Sequence, residues 1–244
     1  MKRNLLLLVL LAGCATNRMK KKQTAQILFK QASLEAKDGD VNSLHKALNS
    51  IDKSLAEYVT TNSLALKATI LLQLNELQAS NAIFEQIVPN KAVPKAKRAD
   101  MQNNWATALY RLGKTEQAKR LWIGLSQNPH YISPELAFFN LGYAELNEAG
   151  QASYQQQPTV MQEHLHAAAQ YFTSAIGVSR EFIDAHFYLG RALVALNQPE
   201  QAREHFLTIL TINPDHEPAQ KMLNAIGQSS RQQTNQAPDT NVAR

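Results

Sequence analysis

The 244-residue chain predicts an all-α architecture of stacked helical hairpins, a superhelical solenoid. Three observations carry this expectation. Only 9 Gly and 9 Pro interrupt the chain, β-branched runs are few, and Ala, Leu and Gln are abundant, a balance that favours helix. An apolar content of 44% supports a buried core. The most informative observation is self-similarity at a period of about 34 residues, a length at which one helical hairpin recurs and buries its apolar face against its neighbours.

The first element is the opening "MKRNLLLLVLLAGCATN". Lys2 and Arg3 precede an apolar core from Leu5 to Ala12, the order of a secretory signal. The run falls short of the about 20 apolar residues that span a bilayer. It ends on Cys14, the single cysteine, so no disulfide can form within the chain. Leu11-Ala12-Gly13-Cys14 resembles the bacterial lipobox. The resemblance implies a lipoprotein signal peptide over 1–13 and a thioether-linked diacylglycerol on the Cys14 sulfur. It also implies acylation (palmitate) of the new amino terminus and an acylated linker over 14–26. Several acyl chains anchor a protein where a single one holds it only marginally. Ala15 stands where an aspartate would favour inner-membrane retention, so the resemblance points to the periplasmic face of the outer membrane. The cluster Lys20-Lys21-Lys22 suits anionic headgroups or envelope polymers, and equally a solvated linker. The net charge is +5 and the remaining cations are scattered, so no nucleic-acid partner is expected.

The repeats follow, over 27–227. A degenerate first unit runs from about Ile27 to Tyr58, with Ala47 and Ile51 on its second helix. Leu64, Ala68, Leu71, Ser80 and Phe84 mark the next, and Trp105, Ala106, Leu109, Ala118 and Trp122 the third. The fourth carries Leu141-Gly142, then Ala168, Phe172 and Ala175. Its twentieth place falls at Ala168 rather than at Tyr154, fourteen residues late, and the polar stretch 147–164, "NEAGQASYQQQPTVMQEH", reads as an inserted loop. The last unit, Ile183 to Pro214, has Leu189-Gly190 at its seventh and eighth places, Ala202 at its twentieth, Phe206 at its twenty-fourth and Pro214 at its thirty-second. Small residues let two helices approach, large apolar ones fill the gap and proline stops the second helix. This pattern resembles the tetratricopeptide (TPR) repeat, which implies about five hairpins and a capping helix. That helix has Pro218 in its first turn, Ala219, Met222, Leu223 and Ile226 on one face, and a stop at Gly227. The tail 228–244 lacks apolar periodicity and reads as disordered.

Catalytic chemistry is not expected. The sequence has no P-loop, dinucleotide fingerprint or nucleophile elbow. His164 and His166, two apart, fall on different sides of a helix, and no cysteine or carboxylate stands at local ligand spacing. No metal, cofactor or enzymatic activity is therefore assigned, and a protein partner is expected instead. In TPR proteins the second, fifth, ninth and twelfth places of the first helices commonly line a concave groove. Carried onto this chain, that resemblance selects Asn103, Tyr110, Phe139, Tyr143, Phe187 and Arg191. The sixth places add Asn104 and Asn140, whose amides both donate to and accept from a peptide backbone. Core packing competes for each aromatic. The aromatics with one arginine suit an apolar partner helix or an extended peptide.

The segment "NPHYISPELAFFNLGYAEL", Asn128 to Leu146, together with "LAGCATN", resembles the type IV pilus pilotins, the PilF/PilW/Tgl lipoproteins. The resemblance implies a lipoprotein that helps a secretin reach the outer membrane and assemble. Two other roles fit the same repeats: a scaffold for peptidoglycan synthases or hydrolases, and assistance in outer-membrane protein assembly.

Overall fold

The computed structural model describes residues 2–236, with side chains placed from Thr16 to Gln228. The side chains of the leader and of Cys14, and residues 237–244, lie outside the described set. Among the described residues there are eleven helices and no strand: α1 (Lys2–Glu35), α2 (Val41–Glu57), α3 (Thr61–Gln73), α4 (Leu77–Ile87), α5 (Lys95–Arg111), α6 (Thr115–Ser126), α7 (Pro134–Tyr154), α8 (Pro158–Val178), α9 (Ile183–Ala195), α10 (Pro199–Ile212) and α11 (Glu217–Gln236). None of them is long and apolar enough to cross a membrane. The chain divides into two compact units, one ending at Leu121 and the other beginning at Trp122.

In the first unit each helix from α1 to α4 packs on the next in sequence. Ala32, Leu44, Ala47, Ile51 and Ile70 form one buried cluster, and Ala68, Phe84, Ile87 and Met101 another, with Leu64 and Trp105 packed on it. Close approach here uses serine. Ser54 Oγ donates to the Ala25 carbonyl at 2.7 Å and Ser80 Oγ to the Ala68 carbonyl at 2.8 Å, both buried. A small side chain lets the backbones meet, and the hydroxyl is not left without a partner. Ala25 is itself buried and lies on a continuous α1, so the segment read as a linker over 14–26 is helical and enters the first hairpin. At the start of α2, Asp40 accepts from the Asn42 and Ser43 amides at 3.0 and 3.1 Å, as expected of an N-cap. These bonds hold its carboxyl below the usual range, the Ser43 contacts contributing most.

The second unit is built on α7 to α11. Proline opens α7, α8 and α10, where its missing N–H leaves no intrahelical bond unmade. The core gathers Ala168, Phe172, Leu189, Ala202, Phe206, Ile209, Ala219 and Ile226. Glycine here sets the helix spacing. A methyl group on Gly142 would lie 2.8 Å from the Phe172 ring, and one on Gly190 only 2.6 Å from the Phe206 ring. The repeat signature Leu-Gly followed by Phe therefore records one ring of the second helix lying on the bare backbone of the first. Ahead of α7, the Asn128 side chain accepts from the His130 amide at 3.0 Å, and its carbonyl accepts from the Tyr131 amide at 3.0 Å. Tyr131 is buried, so the turn over 128–133 has a packing role of its own.

Two further expectations are corrected. The stretch 147–164 is not an inserted loop. Its residues lengthen α7 and α8 to 21 residues each, against 13 and 14 for α9 and α10, with only 155–157 between them. The polar side chains face outward while Ala149, Ala152 and Leu165 are buried, and alanine at i and i+3 suffices for a tight helix seam. The left-handed Gln156, φ 57°, makes the turn. Likewise α11 passes Gly227 and continues to Gln236. Gly227 is not among the residues of positive φ that would break the helix there, so 228–236 prolong the capping helix.

Candidate partner-binding groove

The second unit carries an open groove of about 380 Å³ bounded by α7, α8 and α9. Its α7 wall presents Tyr143, Leu146, Asn147, Gly150 and Ser153; α8 adds Met161 and Leu165; α9 adds Tyr188, Arg191 and Ala195. The i, i+3, i+4 spacing of 143, 146, 147 and 150 puts these side chains on one helical face.

Two tyrosines organise the groove. Tyr143 and Tyr188 meet edge to face, with ring centroids 5.2 Å apart and planes at 89°, an arrangement the ring quadrupoles favour. The Arg191 guanidinium lies 5.4 Å from the Tyr188 ring centre, within cation–π range, while its side chain stays exposed. Burial raises the Tyr188 phenol above its ordinary value; Tyr143 and Asp184 act in the same direction and Arg191 opposes them. Tyr188 therefore keeps its proton at neutral pH and offers an O–H that both donates and accepts. The groove thus combines apolar area, hydroxyl and amide groups and one fixed positive charge.

The residues selected from the sequence divide between the two units. Tyr143 and Arg191 line the groove. Phe139 and Phe187 do not; they are half-buried against the core beneath it. Phe139 packs on Phe172 at 5.7 Å, Phe182 at 5.1 Å and Tyr188 at 5.7 Å. Phe187 packs on Phe206 at 5.9 Å, Tyr188 at 5.6 Å and His216 at 5.7 Å. Both rings thus support Tyr188 from behind. Asn140 is half-buried on α7. Asn103, Asn104 and Tyr110 lie on α5 in the first unit, each half-buried. The Asn104 amide donates to Thr69 Oγ1 at 3.2 Å, which engages part of the capacity expected to meet a peptide. Tyr188 and Met161 were not selected. Tyr188 occupies the sixth place of its repeat, the place that holds Asn104 and Asn140 in the others, so the spacing alone could have pointed to it.

Among the described residues, one trio of side chains has the makings of a metal ligand set: Glu145, Glu148 and His164. The absence of a carboxylate at local spacing from His164 is answered across the hairpin, where α7 supplies two.

A profile described as a tetratricopeptide repeat matches residues 160–226. No curated protein matches the chain by sequence. Among solved structures, PilF of Pseudomonas aeruginosa superposes with a TM-score of 0.62 at 12% identity, over 89% of this chain and 95% of its own. YrrB, described as a TPR protein with an unusual peptide-binding site, superposes at 0.51 with 19% identity, over 80% and 89%. MamA superposes at 0.52 with 14% identity, over 78% and 91%. Identities this low establish the fold and nothing finer. The fold is the all-α tetratricopeptide-repeat fold, an architecture that ordinarily serves as a non-catalytic scaffold for protein partners.

Proposed function

We propose that this protein is a non-catalytic lipoprotein of the outer membrane that assists type IV pilus biogenesis as a pilotin, binding a segment of the secretin in the groove of its second unit. The observation that carries the binding reading is the Tyr143–Tyr188 pair with Arg191 at its edge: two rings held by the core beneath them and one charge free to meet a partner. Rigid aromatics of this kind immobilise little on binding, and they dominate interface energies together with arginine. A peptide-binding site on a relative of the same fold, YrrB, agrees with the class of ligand. The pilotin assignment is supported by the lipobox ending at Cys14, by the segment from Asn128 to Leu146 and by a repeat architecture of nearly the same extent as PilF.

In this role acylation at Cys14 holds the chain at the periplasmic face of the outer membrane, and the groove retains a secretin segment while the multimer assembles. The test is the amount of heat-stable secretin multimer in cells. A complete deletion should deplete it, and Cys14→Ala should leave a folded protein that no longer incorporates labelled fatty acid. Arg191→Glu, exposed and outside the core, should fold normally and lower multimer. Normal multimer in the deletion strain rejects the pilotin assignment; normal multimer with Arg191→Glu rejects the groove as its means.

A further inference from the structure

We infer that the lengthened α7–α8 hairpin carries a divalent transition-metal site of the zinc class, with Glu145, Glu148 and His164 as ligands. Glu145 and Glu148 stand three apart on α7 and so share a face, and His164 reaches them from α8 across the hairpin seam. His164 Nδ1 lies 2.7 Å from Glu145 Oε2 and 3.5 Å from Glu148 Oε2, and one ligand atom from each residue falls within 4.8 Å of the others. Tetrahedral zinc, with bonds of about 2.0–2.2 Å to nitrogen and oxygen, requires ligand atoms about 3.3–3.5 Å apart. The two distances to the imidazole lie within 0.8 Å of that value, and the two carboxylates stand close enough, within 4.8 Å, to close the set by side-chain rotation.

Charge argues in the same direction. The Glu145 side chain is 9% exposed, and a carboxylate this deep needs a compensating charge. A divalent cation supplies two positive charges, the His164 Nδ1 lone pair becoming a ligand and the imidazole proton residing on Nε2. His164 and Glu148 remain 28% and 23% exposed, which leaves the ion a path and a coordination position for water. Imidazole mixed with carboxylates suits zinc-class ions, whereas calcium and magnesium take oxygen ligands.

The repeat itself does not require these residues. Counted from the Leu-Gly pair and from the twentieth place, the same positions in the next hairpin hold Leu193, Leu196 and Gln198, none of which has a role in metal binding. Among the described residues, the cluster of three ligands falls in the lengthened hairpin and has no counterpart in the one that follows it.

The test uses the full chain and Zn²⁺ alone, by isothermal titration and by melting in the presence and absence of the ion. One zinc per chain is expected, with a melting temperature that rises with zinc concentration, as ligation to the folded state requires. Glu148→Gln and His164→Gln should each weaken binding at least tenfold while their metal-free circular dichroism matches that of the parent chain. His205→Gln, at the separate His186–His205 contact, should bind zinc as the parent does, and excess Ca²⁺ or Mg²⁺ should not displace it. No stoichiometric binding overturns the inference, as does affinity unchanged in Glu148→Gln and His164→Gln or lost in His205→Gln.

Discussion

Gly190→Ala isolates the contact on which the last hairpin depends. A Cβ at this position meets three atoms of the Phe206 ring, at 2.6, 2.7 and 3.1 Å, where ordinary van der Waals contact begins near 3.4 Å. Phe206 is fully buried and lies among Leu189, Ala202 and Ile209, so its ring has no open space into which to move. Overpacking of this kind costs about 1–3 kcal/mol. Opposing it is the helix propensity of alanine, worth about 1 kcal/mol over glycine. Gly150→Ala provides the reference, because Gly150 lies within α7 with nothing inside 4 Å of its added methyl group. That variant gains the propensity without the clash. Subtracting the two removes the shared gain and leaves the contact: Gly190→Ala should be less stable than Gly150→Ala by roughly 1–3 kcal/mol, or on the order of 2–12 °C in melting temperature for a chain of this size. Paired urea and thermal melts followed by circular dichroism measure the difference. Equal stability of the two variants would refute the close approach of α9 to α10 and, with it, the packing meaning assigned to the Leu-Gly pair.

Two further outcomes follow from the second unit. Phe139→Ala and Phe187→Ala should each destabilise by roughly 2 kcal/mol, short of the ~3–5 kcal/mol of a fully buried ring, which melting curves will separate from the near-neutral behaviour expected of rings that only face solvent. His205 is held below its ordinary value of 6.5, first by burial and then by the neighbouring His186, with Glu204 opposing; because the unfolded chain binds the proton more readily, stability should be level above 6.5 and fall as pH drops from there through the depressed native value. His205→Gln should flatten that decline in chemical melts at stepped pH, and an unchanged decline would assign it to another group.

The repeat was legible where its chemistry is local. Gly190 meets the Phe206 ring and Gly142 the Phe172 ring, and although the second pair stands fourteen residues further apart in sequence, each glycine keeps its Leu-Gly signature because the backbone of one helix and the ring of the next touch there. The lengthened hairpin was not legible, since its buried seam is alanine, which carries little apolar signal, and its polar majority imitates a loop. Aromatics at groove spacing could not be divided in advance between groove and core: Tyr143 reaches the groove while Phe139, one turn earlier on the same helix, is drawn down between Phe172 and Phe182. The trio of Glu145, Glu148 and His164 is joined across two helices, a relation that spacing within one helix cannot report.

The added length of α7 and α8 bears on function because it supplies one end of the groove. Gly150, Ser153 and Met161 line the groove and fall within 148–161. Removing 148–161 deletes fourteen residues and returns the twentieth-place Ala168 to its ordinary distance from Leu141. Ala168 and Phe172 remain in register with Gly142, so the packing that holds neighbouring hairpins together is retained. What the deletion removes from the seam is small: Ala149 and Ala152 are its main buried residues. The shortened protein should therefore fold, with the helical content and cooperative melting of a repeat protein, and should lose its partner by at least the roughly thirtyfold that corresponds to about 2 kcal/mol of anchor contact. Circular dichroism paired with capture of the secretin from detergent-solubilised envelope membranes decides it. A shortened protein that folds and still retains its partner at parental affinity would show that binding does not use the end of the groove supplied by Gly150, Ser153 and Met161, and the added length of α7 and α8 would lose its place in the mechanism.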